Sequence, residues 1–236
     1  MEIRGRTPFF RASEKWGPAP VFVRAAPFAV FIALLALQPW LERLADARWV
    51  AVSRGLAAGA LLLLFWRHYS ELRAPAGDPR LKPREAGAAI ATGLAVFAAW
   101  ITFDRGWATF GSGPGLVPLD ARGQLDAWLV AAKLAGLVVA VPLMEELFWR
   151  SLVMRWIDRR DFLALDARTA SLAAVAISSA LFALEHTLWL AGLAAGAAYA
   201  LLYRRSGNLW SAVAAHATTN AALAAYILAT GRWELW

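Results

Sequence analysis

The chain has 236 residues, 60% of them apolar and only 17% charged, with a mean hydropathy of +0.49; this excludes an ordinary soluble domain and indicates a membrane protein. Its 24 Lys and Arg against 17 Asp and Glu give a net charge of +7, but no basic-aromatic module accompanies it, so the charge reads as membrane topology and no nucleic-acid partner is expected. The lack of cysteine excludes disulfides, thiolate metal sites and a cysteine nucleophile, leaving carboxylate, hydroxyl and imidazole chemistry.

A spanning helix needs about 17 to 25 mainly apolar residues, because lipid offers no partner to backbone amides. The N-terminal stretch MEIRGRTPFFRASEKWGP is polar and basic, so no signal peptide is expected. Residues 25–41 form the first candidate span. Residues 49–66 form the second; they carry Arg54, with Trp66 and Tyr69 as interfacial anchors. Residues 86–103 form the third, followed by a Gly- and Pro-rich connection over 104–125. The fourth, 127–144, carries Lys133, and its periodicity resumes through LFWRSLVMRWI. That helix is expected to run to about residue 157 with a kink near Pro142, an eighth partial span being the alternative. Residues 169–184, 187–203 and 206–231 complete the set. The expected fold is all-α: a polytopic transmembrane helix bundle of about seven spanning helices, forming one membrane domain over residues 1–236.

Basic residues set the orientation. One set of connections holds Arg4, Arg6, Arg11, Lys15, Arg67, Arg73, Arg80, Lys82, Arg84, Arg155, Arg159, Arg160, Arg168, Arg204 and Arg205. The other holds only Arg43, Arg48, Arg105, Arg122 and Arg232, which predicts a cytoplasmic N-terminus.

Ionisable side chains inside a span cost about 2.5 to 3.5 kcal/mol on insertion scales, so they mark cavities and partners. Here they gather in three places: VPLMEELFWR with Glu145, Glu146 and Arg150; LFALEHTLW with Phe182 and His186; and SAVAAHATTN with His216 and Asn220. Residues four apart share a helix face, so the structural alternatives for each cluster alone are a plain Glu146–Arg150 salt bridge, a hydrogen-bonded packing role for His186, and polar contacts from His216 and Asn220 to a neighbouring helix. Together they supply a base for water and donors for a tetrahedral oxyanion. No G-x-S-x-G is present, so water is the expected nucleophile. A zinc site from Glu145, His186 and His216 is the minority alternative, since H-E-x-x-H spacing is absent and no cofactor is required by the water reading.

These clusters resemble the three motifs of the CPBP family of intramembrane proteases, the group containing the CAAX prenyl endopeptidases: EExxxR at Glu145–Arg150, FxxxH at Phe182–His186 and HxxxN at His216–Asn220. The resemblance covers about residues 125–225 and implies an intramembrane endopeptidase acting on a membrane-associated protein or peptide. It implies that Glu145 activates water with help from His186, that Glu146 supports that carboxylate, that Arg150 positions the acidic pair, and that His216 and Asn220 line the oxyanion site. APFAVFIALLAL, FWRHYSEL and TGRWELW are further similar to a branch associated with exosortase and PEP-CTERM sorting, which implies a bacterial inner membrane and a functional link to protein sorting. A non-catalytic scaffold or immunity-like peptide-binding protein is the competing function, and a proton-coupled transporter a third. Glu185, outside the motifs, receives no role. Simple counting puts His186 nearer the outer membrane face than Glu145, so a shared site requires a late start or a tilt of its helix.

Overall fold

The computed structural model describes residues 19–73, 81–111 and 115–235. The polar N-terminal stretch with Arg4, Arg6, Arg11 and Lys15, and also Arg80, lie outside the described residues. Beside short 3-10 turns, the described residues form eight helices: α1 (Pro20–Leu41), α2 (Ala47–Leu64), the short α3 (Ser70–Arg73), α4 (Pro83–Thr102), α5 (Ala127–Asp158), α6 (Leu172–Leu184), α7 (Trp189–Ser206) and α8 (Leu209–Thr230). Among the described residues no strand forms, only an isolated bridge between Leu119 and Leu125.

The seven long helices correspond one to one with the seven apolar windows. Five of them, α1, α2, α4, α5 and α8, are long and apolar enough to cross a membrane; α6 is apolar but has 13 residues. The protein is therefore a helical membrane bundle. At 32 residues, α5 absorbs the stretch that could have formed an eighth span. It ends at Asp158, close to the expected 157, but its irregularity takes a different form. Residues Ala135–Ala140 and Glu146–Met154 are π-helical, flanking Pro142. In the first of these the Val141 N–H bonds the Gly136 carbonyl five residues back. The next N–H in that pattern would serve Leu137, but residue 142 is proline and has none. The side chain of Asn220 fills that place, with Nδ2 donating to Leu137 O at 2.8 Å.

α6 starts at Leu172, later than residue 169. Two 3-10 turns, Phe162–Ala164 and Ala167–Thr169, occupy the preceding stretch, and Ser171 then caps the helix by accepting from Ala174 N at 3.0 Å. Asp158 at the end of α5 fixes this cap, accepting from Ser171 N at 2.6 Å and Ser171 Oγ at 2.7 Å. Starting later carries the far end of α6, with His186 just beyond it, to the depth of Glu145.

Alternation of the helices sorts the connections into two ends. At one end Arg48 Nη1 donates to Leu119 O at 2.5 Å, Arg232 Nη2 meets Asp104 Oδ2 at 2.8 Å, Phe110 N donates to Thr187 O at 2.8 Å, and Trp189 Nε1 donates to Trp107 O at 2.8 Å. At the other end a buried polar network joins α1, α3 and α5. Arg24 grips Glu71 through Nε at 2.7 Å and Nη2 at 2.5 Å, Ser151 Oγ donates to the same carboxylate, and Arg155 Nη2 donates to Ser151 Oγ at 2.7 Å. Tyr69 OH donates to Val23 O at 2.9 Å, and the Phe162 ring lies 5.3 Å from Arg24 Cζ and 5.4 Å from Arg155 Cζ.

Burial alone would raise the Glu71 carboxyl, but the hydrogen bonds and charge of Arg24, with the Ser151 hydroxyl, outweigh it and hold the group down at about 2, below its ordinary 4.5. A carboxyl depressed in the folded state contributes stability that is complete above its unfolded pKa and is lost as pH falls through the folded one. The thermal midpoint in detergent is thus expected to drop as pH falls from about 5 toward about 2. Glu71→Gln should flatten that drop, and a wild-type midpoint unchanged across the window would contradict the assignment.

Close helix approach relies on small residues. A Cβ on Gly93 of α4 would collide with the Ala215 carbonyl of α8, and one on Gly196 of α7 would sit 2.9 Å from the Cα of Ser179 in α6. These contacts draw α4, α6, α7 and α8 around the polar centre.

Candidate active site

Glu145 and Glu146 are adjacent, so a helix sends them in different directions. Glu146, with no exposed surface, turns into the packing between helices. Its Oε1 accepts from Arg150 Nη1 at 3.0 Å, one turn along α5, and from His216 Nδ1 at 2.9 Å on α8. Arg150 is itself buried at 1% exposure; its Cζ lies 4.3 Å from the Phe182 ring centroid and 5.4 Å from that of Tyr199, and Nη2 reaches Gly196 O at 3.4 Å. The small residue at 196 thus serves both packing and the guanidinium.

Glu145 instead lines a cavity of about 250 Å³, together with His186, His216 and Asn220. Its Oε2 carries no hydrogen bond, and His216 Nε2 is 3.9 Å from that oxygen. The adjacent pair is therefore divided: one carboxylate fixes the second histidine from behind, and the other faces the open space.

His186 is placed by its own motif. Its Nδ1 lies 2.8 Å from Phe182 O, and since a carbonyl only accepts, Nδ1 carries the proton and Nε2 is the nitrogen with a free lone pair in the neutral ring. The Phe182 ring lies 4.5 Å from the imidazole, and Trp100 of α4 meets the imidazole edge-on at 5.4 Å. On the other histidine, Tyr199 stacks at 5.0 Å and 19° while its hydroxyl donates to Thr219 Oγ1 at 2.7 Å, which in turn donates to Gly93 O at 2.8 Å. Asn220 faces the cavity with one amide hydrogen given to Leu137 O.

All the residues singled out from the sequence thus converge: Glu145, Phe182, His186, His216 and Asn220 on the cavity, and Glu146 and Arg150 behind them. The sequence reading left out Glu185. Its carboxylate also lines the cavity, accepts from Trp149 Nε1 at 2.9 Å and has Oε1 4.0 Å from His186 Nδ1. An acidic residue beside a histidine at the end of an apolar helix was the available signal. Tyr199 was also missed, although the i, i+4 series Ala195, Tyr199, Tyr203 marks one face of α7.

Glu145, Glu185 and His186 each offer a ligand atom within 4.8 Å of the other two, so among the described residues these three could hold a metal ion. Two carboxylate oxygens and an imidazole nitrogen suit a divalent cation such as zinc. The set differs from that expected from sequence in having Glu185 where His216 was expected; His216 is bonded through Nδ1 to Glu146, and its Nε2 lies 3.9 Å from Glu145 Oε2.

A membrane bundle with carboxylates and histidines gathered around a cavity from several helices marks a functional site, because such groups are costly within a membrane. Residues 127–222 match the family model described as Rce1-like, type II CAAX prenyl endopeptidase Rce1-like, so this region of the chain is similar to the CPBP, or CAAX protease, family of intramembrane proteases. The matched region holds all three motifs, whereas Trp100 and the α1 and α2 walls of the cavity lie outside it. No curated protein and no solved structure matches the chain.

Proposed function

We propose that this protein is an intramembrane endopeptidase that hydrolyses a peptide bond of a membrane-associated protein or peptide, with a catalytic core over about residues 125–225 of a single membrane domain. The observation that carries this reading is Glu145, a cavity-lining carboxylate whose Oε2 has no hydrogen bond, set between two histidines in the region matched to a peptidase family.

In this reading a water held by Glu145 and His186 gives its proton to Glu145 as its oxygen attacks the scissile carbonyl carbon. The carbonyl electron pair moves onto oxygen, and the tetrahedral oxyanion sits beside His216 Nε2 and receives a hydrogen bond from the second amide hydrogen of Asn220. Glu146 keeps His216 oriented through Nδ1, and Arg150 holds Glu146. Collapse of the intermediate expels the amine, which takes the proton from Glu145, and leaves a carboxylic acid that then gives its own proton to the amine or to water. A divalent ion, where bound, would be held by Glu145, Glu185 and His186 and would acidify a water. Since the carboxylate and histidine supply base chemistry unaided, no metal is required. The distribution of basic residues supports a cytoplasmic N-terminus, and the resemblance of the flanking segments supports a bacterial inner membrane and a link to protein sorting.

The test compares protein termini by mass spectrometry in cells carrying wild type and Glu145→Gln at matched membrane abundance. Termini found only with wild type, and still generated by purified protein in a strong chelator, are the expected result. Identical termini in both strains would refute proteolysis and favour the scaffold reading, and loss of cleavage on chelation would refute metal independence.

A further inference from the structure

The cavity is one-ended. Its walls come from the halves of the helices nearer the Trp107–Trp189 end: Ala51 and Arg54 in the first half of α2, Trp100 near the last turn of α4, Lys133 in the first half of α5, and Leu235 beyond α8. Glu145 and His216 lie at its deep end, near the bundle centre. No residue from the final turns at the opposite end lines it. That end is sealed by the Arg24–Glu71–Ser151–Arg155 network, in which Arg24 is 1%, Glu71 8% and Arg155 5% exposed, and by Trp210 Nε1 donating to Leu72 O at 2.9 Å.

Two cations point to water in the cavity. Arg54 lies seven residues, about 10 Å, inside α2, and Lys133 six residues, about 9 Å, inside α5. Charges at that depth are expensive in lipid and are tolerated where they find partners or an aqueous space; Arg54 donates to Gln38 Oε1 at 2.8 Å and lies 5.4 Å from the Phe31 ring, both of them uncharged, and both cations line this cavity. The cavity is thus open to water at the Trp107–Trp189 end. That end carries Arg43, Arg48, Arg105, Arg122 and Arg232, while the sealed end carries Arg67, Arg73, Lys82, Arg84, Arg159, Arg160, Arg168, Arg204 and Arg205 among the described residues. By the positive-inside rule the sealed end is cytoplasmic.

We propose that the site receives its substrate from the non-cytoplasmic face, so that its substrates are exported polypeptides or the exported segments of membrane proteins. This rests on the orientation given under the proposed function. The sealed end bars a cytoplasmic peptide from Glu145, whereas a chain segment outside the membrane reaches it by passing Arg54 and Lys133.

The natural absence of cysteine allows a direct test. Single cysteines are placed in the cavity wall (Ala51→Cys and, separately, Leu223→Cys), in the connection at the open end (Arg122→Cys) and at the sealed end (Arg205→Cys). A small membrane-impermeant thiosulfonate is applied to sealed vesicles of each orientation. The expected result is that both cavity cysteines and Arg122→Cys react from the non-cytoplasmic side and Arg205→Cys from the cytoplasmic side. Cavity cysteines that react together with Arg205→Cys, or from neither side, overturn the one-ended cavity while leaving the orientation intact. Arg122→Cys reacting from the cytoplasmic side overturns the orientation and the proposal with it. None of these readouts depends on catalysis, so the labelling stands or falls separately from the peptidase reading.

Discussion

Glu145→Gln is expected to lower kcat for peptide hydrolysis by about a thousandfold, within the 10²- to 10⁴-fold range of general-base contributions, with KM nearly unchanged. The substitution keeps the shape of the side chain and removes its ability to take a proton. Glu145 lines the cavity and makes no hydrogen bond through Oε2, so its replacement leaves no buried partner stranded. Unfolding in detergent should change little. The neighbouring Glu146→Gln provides the contrast. Its carboxylate serves Arg150 and His216 behind the cavity, so the neutral variant should lower the unfolding midpoint as well as the rate. Single-turnover kinetics of the two purified variants would separate them. Equal rate losses accompanied by equal losses of stability would remove the distinction between a base and its support.

The largest stability effect should come from Arg150→Leu. The ion pair it breaks is buried on both sides, Arg150 at 1% and Glu146 at 0% exposure. Removing one member of such a pair leaves a charge without its counterion and costs about 3 to 5 kcal/mol, far more than an exposed pair. The guanidinium also carries the contacts to Phe182, Tyr199 and the Gly196 carbonyl, which an aliphatic side chain does not replace. Arg150→Lys keeps the charge but loses the planar fork, so an intermediate loss is expected. Combining Arg150→Leu with Glu146→Gln should recover part of the stability, because the stranded charge is gone. If the double variant were as unstable as Arg150→Leu alone, packing rather than charge would account for the loss. The midpoint of thermal unfolding in micelles measures all three.

Much of this was legible in the sequence because lipid imposes a simple rule on backbone amides. Seven apolar windows became seven long helices, and the length of α5 followed from periodicity continuing past Glu146. The polar residues could be found because charge is costly in the places they occupy. Details set by pairing between distant elements were not legible. The π-helical stretches follow from a proline whose missing N–H is compensated by Asn220, 83 residues away from Leu137. Glu185 reads as a border residue until Trp149 of α5 is seen to bind it. The late start of α6 depends on Asp158 holding Ser171. That shift removes the mismatch in depth that helix counting gave for His186.

The network at the sealed end also bears on biogenesis. Arg24 lies in α1, which is made before the other described helices, and Glu71 follows it by 47 residues; Ser151, which shares that carboxylate, comes 80 residues later still. Until the partners are synthesised, Arg24 must keep its guanidinium among lipid headgroups, which a long side chain near a helix end can do by snorkelling. The Arg24–Glu71 pair can therefore form once α3 is made, and Ser151 and Arg155 close around it only after α5 has been inserted. Nascent chains truncated before Ser151 would lack the Ser151 and Arg155 contacts, so this network is completed late in translation.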